Sequence, residues 1–171
     1  MGELRTIVEA ACPGAVIGEA ERAGELTIEI ANERLLEVAR FVKGPPLSFV
    51  LLSDLTCADF PEDPRRFRLA YQLLSLESGA RLRLRVWCPP GEEDRPEVDS
   101  VTPVWATADW HEREVYDMFG VRFRGHPDLA RILMPLDWEG HPLRRDYPLG
   151  GEEVQFTDAV LASRLKTREQ L

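Results

Sequence analysis

The residues best equipped for chemistry crowd into one short segment. His111 and Glu112 open it, Glu114 and Asp117 follow, and His126 and His141 lie further on. A His-Glu pair invites comparison with the HExxH zinc site, where two histidines one helical turn apart share a face with a glutamate base. Here the position four after His111 is Val115, so the second ligand is missing. Neighbouring carboxylates can also divide acid and base work. On a helix Glu112 and Glu114 point roughly 160° apart, whereas Glu114 and Asp117 share a face. Together with His126 these two form the set that a stand-alone acid–base enzyme would use. His126 and His141 each precede a proline, and His-Pro in extended chain commonly orients a turn.

Other chemistries lack their residues. Neither a GxGxxG nor a GxxxxGK[ST] phosphate loop is present, and there is no GxSxG nucleophile elbow. Cys12, Cys57 and Cys88 are far apart and form no CxxC. Clusters need closely placed thiolates and structural zinc needs four ligands, so the expectation is no metal, cluster or other cofactor in this chain. The cysteines then pack as small hydrophobes.

The element that must position the acids is a helix over residues 110–119. Asp109 is a good N-cap residue and Glu112 follows three positions later, the spacing of a capping box. Gly120 suits the left-handed residue that ends a helix. Arg113 and Asp117 stand at the i,i+4 spacing of an ion pair. Glu112 falls among Val115, Tyr116 and Phe119 on the apolar face. A carboxylate there must be hydrogen-bonded or paired, so it is either the capping-box acid or half of a buried ion pair.

After Gly120 the chain turns irregular. Pro127, Pro135, Pro142 and Pro148 interrupt it, yet it carries Phe123, Leu129, Ile132, Leu133, Met134, Leu136, Trp138, Leu143 and Tyr147. Disordered tails are poor in such residues, so this segment must bury itself on its own domain or on a partner. Trp, Tyr, Met and Arg are enriched at interface centres. Arg144, Arg145 and Asp146 could form charge-assisted pairs across such a contact.

Upstream, the pattern predicts a short helix over residues 2–11, broken at Pro13-Gly14, and a short strand over residues 15–17. A half-buried strand carries Leu26, Ile28 and Ile30. Asn32 is expected to cap a helix with Leu35, Val38, Ala39 and Val42 as its apolar stripe, stopped by Gly44-Pro45-Pro46. Residues 47–55 read as a central strand, and 57–66 as a loop. Residues 67–76 and 81–88 read as a hairpin whose second strand turns Leu82, Leu84 and Val86 inward and Arg81, Arg83 and Arg85 outward. That arginine stripe is either a solvated face or a docking face for an acidic neighbour. Residues 158–170 have helical propensity with weak periodicity, and are expected to fray or to order against a partner. The sum is an α+β fold: a small, mostly antiparallel sheet of about four strands with helices on one face. The expected division is a core of residues 1–120 and an extended, partner-wrapping segment of residues 121–171.

The net charge of −9 argues against nucleic acid as a partner. It is carried by residues 1–119, while residues 120–148 hold five Arg against four acids. No apolar run is long enough to span a bilayer and no signal-peptide core is evident. The chain is therefore expected to be cytoplasmic or cytoplasm-facing, with any membrane association indirect.

The same central segment resembles a known family. Glu112-Arg113-Glu114, Asp117-Met118-Phe119-Gly120, Gly125-His126-Pro127-Asp128-Leu129, Ile132-Leu133 and the run Gly140-His141-Pro142-Leu143-Arg144-Arg145-Asp146-Tyr147-Pro148-Leu149 resemble the 30 kDa subunit of respiratory complex I. In bacteria this is the C subunit of the proton-pumping NADH–quinone oxidoreductase. Ala130 stands where the family usually has a basic residue, and Arg131 beside it can take that role. The resemblance implies a non-catalytic subunit of the hydrophilic arm, packed against the large quinone-site (49 kDa-type) subunit. It also implies the cytoplasmic side of the membrane, as part of a complex. Flavin and iron–sulfur clusters would lie in partner subunits. Glu112, Arg113, Glu114, Asp117, His126, Trp138, His141, Arg144, Arg145, Asp146 and Tyr147 would then be structural or interface residues. Related chains occur in membrane-bound hydrogenases and ferredoxin–plastoquinone oxidoreductases. The continuation through Tyr147-Pro148-Leu149 to Gln155-Phe156 is more similar to the respiratory subunit.

Overall fold

The structure, a computed structural model, describes residues 2–91, 95–148 and 150. The helix expected over residues 158–170 lies outside the described residues. Alternating apolar residues build a five-stranded sheet in the order β1-β2-β5-β4-β3, from β1 (Val16–Arg22), β2 (Glu25–Ile30), β3 (Leu51–Asp59), β4 (Phe67–Leu74) and β5 (Arg81–Cys88). All pairings are antiparallel except β2 with β5, where Ile28 stands beside Leu84. Helix α2 and the β3–β4 hairpin intervene between those two strands, and this excursion lets β5 return alongside β2 in the same direction.

Three helices cover one face of the sheet: α1 (Gly2–Ala11), α2 (Leu35–Lys43) and α3 (Ala108–Phe119). The α2 stripe of Leu35, Val38, Ala39 and Val42 is fully buried, as its 3.6-residue period requires. Beneath it lie Ile28, Ile30, Leu69, Tyr71, Leu84 and Val86 from the sheet. Each such side chain contributes about 2 kcal/mol of apolar burial. A short two-stranded parallel sheet pairs β6 (Glu97–Asp99) with β7 (Arg122–Arg124) and buries Val98 and Phe123. The hydrophobic core therefore continues past residue 120 through Val121 and Phe123.

Three local expectations are corrected. Asn32 does not cap α2: it begins a 3-10 turn over Asn32–Arg34, and its amide donates to the Glu97 carbonyl instead. The 47–55 run yields an edge strand, not a central one, because its strand starts at Leu51 and pairs only with β4. Its apolar residues are buried by α3, which packs across it. The loop expected from residue 57 begins after Asp59, since Cys57 to Asp59 continue the β3 ladder.

Candidate functional site

Helix α3 begins two residues earlier than its apolar pattern suggests. Thr107 is the N-cap, and no side chain caps the helix. Glu112 consequently closes no capping box. Its carboxylate turns inward at zero exposure, where Oε2 accepts a 2.7 Å hydrogen bond from the Ser100 hydroxyl and Oε1 a 2.7 Å bond from the Val101 N–H. Both partners are neutral, so it is not half of an ion pair either. Burial pushes its pKa up to about 7, opposed by these two hydrogen bonds. Glu112 thus ties α3 to the segment leaving β6.

Asp117, also fully buried, serves the other end of the helix. Its Oδ1 accepts a 2.7 Å bond from Arg131, and Oδ2 accepts the backbone N–H groups of Ile132, Leu133 and Met134 at 3.1, 2.8 and 2.9 Å. Burial alone would raise its pKa; the three N–H groups and the guanidinium more than offset this and hold it below the ordinary carboxylate range. Arg113 does not pair with Asp117. It reaches the Ala130 carbonyl at 3.0 Å and stacks over Trp110. Arg131, not a residue at position 130, supplies the cation.

The last turn of a helix leaves carbonyls without intrahelical partners. Here the chain downstream satisfies three in a row. His141 Nδ1–H donates to the Asp117 carbonyl at 2.9 Å, the Leu143 N–H to Met118 at 3.0 Å, and Arg144 Nε–H to Phe119 at 2.6 Å. α3 has no basic residue in its own last turn, and Arg144 supplies the cation that the negative end of the helix dipole favours. Gly120 sits at φ 75°, and a Cβ there would lie 2.6 Å from the His141 ring and 2.8 Å from Arg144. Burial pulls the His141 pKa down, which suits an imidazole lying against a glycine backbone.

A further anchor was not anticipated from the sequence. Asp59, at the end of β3, is bridged by Nε and Nη2 of Arg66, at 2.9 and 3.1 Å. Its Oδ2 also accepts the Arg145 N–H at 2.8 Å, and Arg66 reaches on to Asp146 at 2.6 Å. Burial of Asp59 raises its pKa, but Arg66 and the Arg145 N–H outweigh that and lower it overall. Arg66 adopts φ 47°, unusual for a side-chain-bearing residue and held by this network. Asp59 and Arg66 are separated from Arg145 by some eighty residues of chain, so no local pattern announces them.

The remaining candidates are bound locally. His126 accepts the Asp128 N–H at Nδ1, and Nε2 lies 3.1 Å from the Asp109 carbonyl, so the ring staples the loop to the start of α3. Tyr147 donates to the Glu139 carbonyl at 3.3 Å and packs over Gly140. Trp138 is half-buried and closes a turn through its backbone N–H to Pro135. Glu114 is exposed. Glu114, Asp117 and His126 share no hydrogen bond among the described residues: Asp117 is saturated, and both His126 nitrogens are engaged with backbone or with Asp109. Nothing here matches the geometry of an acid–base pair. Among the described residues there is no group of three or more His, Cys, Asp or Glu placed to hold a metal, and no helix is long and apolar enough to cross a membrane.

The surface around the locked segment is apolar. Trp110, Leu133, Leu136 and Leu143 are 62, 59, 86 and 55 % exposed. Buried acids on α3 thus stand beside a segment that leaves Leu133, Leu136 and Leu143 exposed.

The family model described as "Respiratory-chain NADH dehydrogenase, 30 Kd subunit" matches residues 28–153. The chain is 47% identical over 151 residues to the NADH-quinone oxidoreductase C subunit of Roseiflexus sp. (strain RS-1), covering 88% of this chain and 85% of that one. It is 42% identical over 160 residues to the same subunit of Azorhizobium caulinodans, covering 92% and 74%. Among solved structures it resembles the trypsin-resistant fragment (1-134) of Nqo5, with a TM-score of 0.62 and 33% identity over 74% of this chain and 98% of the fragment. A chain of the membrane-bound sulfane sulfur reductase, an archaeal respiratory membrane complex, shares the fold with a TM-score of 0.72 at 22% identity, covering 96% and 90%. The motifs at both ends of α3 and the relatives agree: the chain belongs to the respiratory-chain NADH dehydrogenase 30 Kd subunit family.

Proposed function

We propose that this chain is the C subunit of a proton-translocating NADH–quinone oxidoreductase and acts in it as a non-catalytic scaffold. In this reading it sits on the cytoplasmic side, in the hydrophilic arm. Residues 121–171 lay an apolar edge against the large quinone-site (49 kDa-type) subunit. Electrons pass from NADH through flavin and iron–sulfur clusters in other subunits to quinone, and the membrane is reached only through those subunits.

One observation carries the reading. Two of the acids of α3, Glu112 and Asp117, are turned inward and held by Ser100, Val101 and residues 131–134, Glu114 stays exposed, and Leu133 and Leu136 of the following segment stay exposed as well. A carboxylate spent on holding a loop in one shape is a positioning device, and the shape it holds displays leucines.

The test is affinity purification of the tagged chain from mildly solubilised native membranes, with the native sequence and with Leu133→Asp/Leu136→Asp. The native chain is expected to bring down flavin- and cluster-bearing polypeptides with NADH–quinone reductase activity. The double variant should lose them while its isolated chain keeps the native circular dichroism. A hydrogenase large subunit in place of NADH-oxidising partners would move the chain to a sister complex. Recovery as a lone polypeptide would overturn the scaffold role.

A further inference from the structure

We propose that the outer face of the five-stranded sheet, on the side away from the helices, docks an acidic segment of a partner polypeptide, with Arg68 as its anchor. This is a second contact surface, built from the strands of the sheet and not from the leucines of residues 133–143.

Pairing register sets out the face. Arg83 stands between Thr27 and Gln72, Arg85 between Glu29 and Ala70, and Trp87 beside Arg68. Because side chains alternate across a strand, these residues share one surface while Leu82, Leu84 and Val86 fill the core. Carboxylates on the surface are already taken. Glu25 is held by Arg83 at 2.7 Å and Arg81 at 3.6 Å; Glu29 is held by Arg85 at 3.1 Å and Arg65 at 3.6 Å, and also accepts the Trp87 indole N–H at 3.0 Å.

Arg68 is left over. Its guanidinium lies 4.3 Å from the Phe60 ring centroid and 5.4 Å from that of Trp87, and has no hydrogen-bond or ion-pair partner among the described residues. Arg85, two pairs along the ladder, keeps a buried Nε–H that also lacks an acceptor. A half-buried guanidinium with unused donors is costly to maintain alone. Burial and the nearby Arg85 pull the Arg68 pKa down, against the opposing pull of Glu29 and Asp63. Planar, fork-shaped donors held on aromatic faces match carboxylate geometry.

Charge chooses the occupant. The body of the chain is acidic, with a net charge of −9, so a long polyanion such as nucleic acid is repelled overall. A few carboxylates on an otherwise ordinary polypeptide are attracted locally. The face is an open sheet, and Ala58 and Ala70 flank Arg68 and Arg85 across the ladder, which leaves room for a chain lying across it.

The experiment uses the assembled complex carrying Arg68→Lys, treated with a zero-length carbodiimide. That reagent joins an amine to a carboxyl only when the two are in ion-pair contact. Lys43 and Lys166 are the chain's only native lysines, so background is low. The expected product joins the introduced lysine to an Asp or Glu of a different polypeptide, located by mass spectrometry. In a salt-washing series Arg68→Glu, which breaks no ion pair among the described residues, is expected to weaken retention by about tenfold. A cross-link from the introduced lysine only within this chain, a link to a second copy of it, no link at all, or unchanged retention of Arg68→Glu would each overturn the inference. The inference rests on the subunit reading, and the two fail separately. Recovery without partner polypeptides removes both, whereas partner-bearing material lacking the cross-link removes this one alone.

Discussion

Arg131 grips Oδ1 of Asp117 at 2.7 Å, and the next three backbone N–H groups in the chain all converge on Oδ2. One side chain on α3 therefore dictates the path of four consecutive residues, and with it the display of Leu133. The arrangement is an anion nest whose anion is part of the same chain.

Removing that anion should cost more than removing its cation. Asp117→Ala leaves Arg131 and three N–H groups without an acceptor and is expected to destabilise the isolated chain by about 3 kcal/mol in urea unfolding. Arg131→Ala leaves the three backbone bonds and should cost about half as much. Equal effects of the two, or an Asp117→Ala within experimental error of the native chain, would contradict the nest. The pH dependence has a definite sign. The folded pKa of Asp117 lies below its ordinary value of 3.8, so its contribution is complete above that value and is lost as pH falls through the folded one. The gap between native and Asp117→Asn should close on acidification below 3.8.

Glu112 titrates the other way. Its pKa is raised from 4.5 to about 7 in the folded state. The protonated form is favoured by folding, so stability falls as pH rises from 4.5 through 7. Glu112→Gln keeps an acceptor for Val101 and a donor for Ser100, and it cannot ionise. Relative to the native chain it should gain stability across that interval, by on the order of 3 kcal/mol at pH 8. Unfolding curves at pH 5 and pH 8 decide this; a difference that does not grow with pH refutes the assignment.

Gly120 is constrained twice, by its φ of 75° and by the His141 ring. Gly120→Ala is expected to cost about 1 kcal/mol for the backbone, with an added cost from the clash. Pairing it with His141→Ala should recover the second part and not the first. Strictly additive losses in that double-variant cycle would mean the ring moves aside freely.

Arg66 joins β3 to the far end of the chain through Asp59 and Asp146. Arg66→Ala is expected to expose the peptide bonds after Arg144 and Arg145, raising their trypsin cleavage several-fold while the sheet stays resistant. Unchanged cleavage at those bonds would show that the carbonyl contacts of α3 hold the segment unaided.

Much of the architecture was legible because it follows from period and breaker residues. The α2 stripe, the inward face of β5 and the stop at Gly120 all depend on spacing of a few residues. The errors share a cause as well. Asn32, Asp109 and Glu112 fit local capping rules, yet Asn32 and Glu112 were drawn to partners outside their own helix, Glu97 and residues 100–101. Residues 47–55 looked central because they are apolar; the strand is an edge that pairs only with β4, and α3 buries its apolar residues.

By itself the sequence determined which segments bury, where helices end, and that the segment from Glu112 to Tyr147 carries the family's pattern, since hydrophobic period and residue identity are local properties. Only the tertiary structure decided what each acid binds. Glu112 met a hydroxyl and an N–H, Asp117 met Arg131 and a turn of backbone, and Asp59 met a residue eighty-six positions away. A buried carboxylate must find donors, but which donors reach it is fixed by how helices and strands pack in three dimensions.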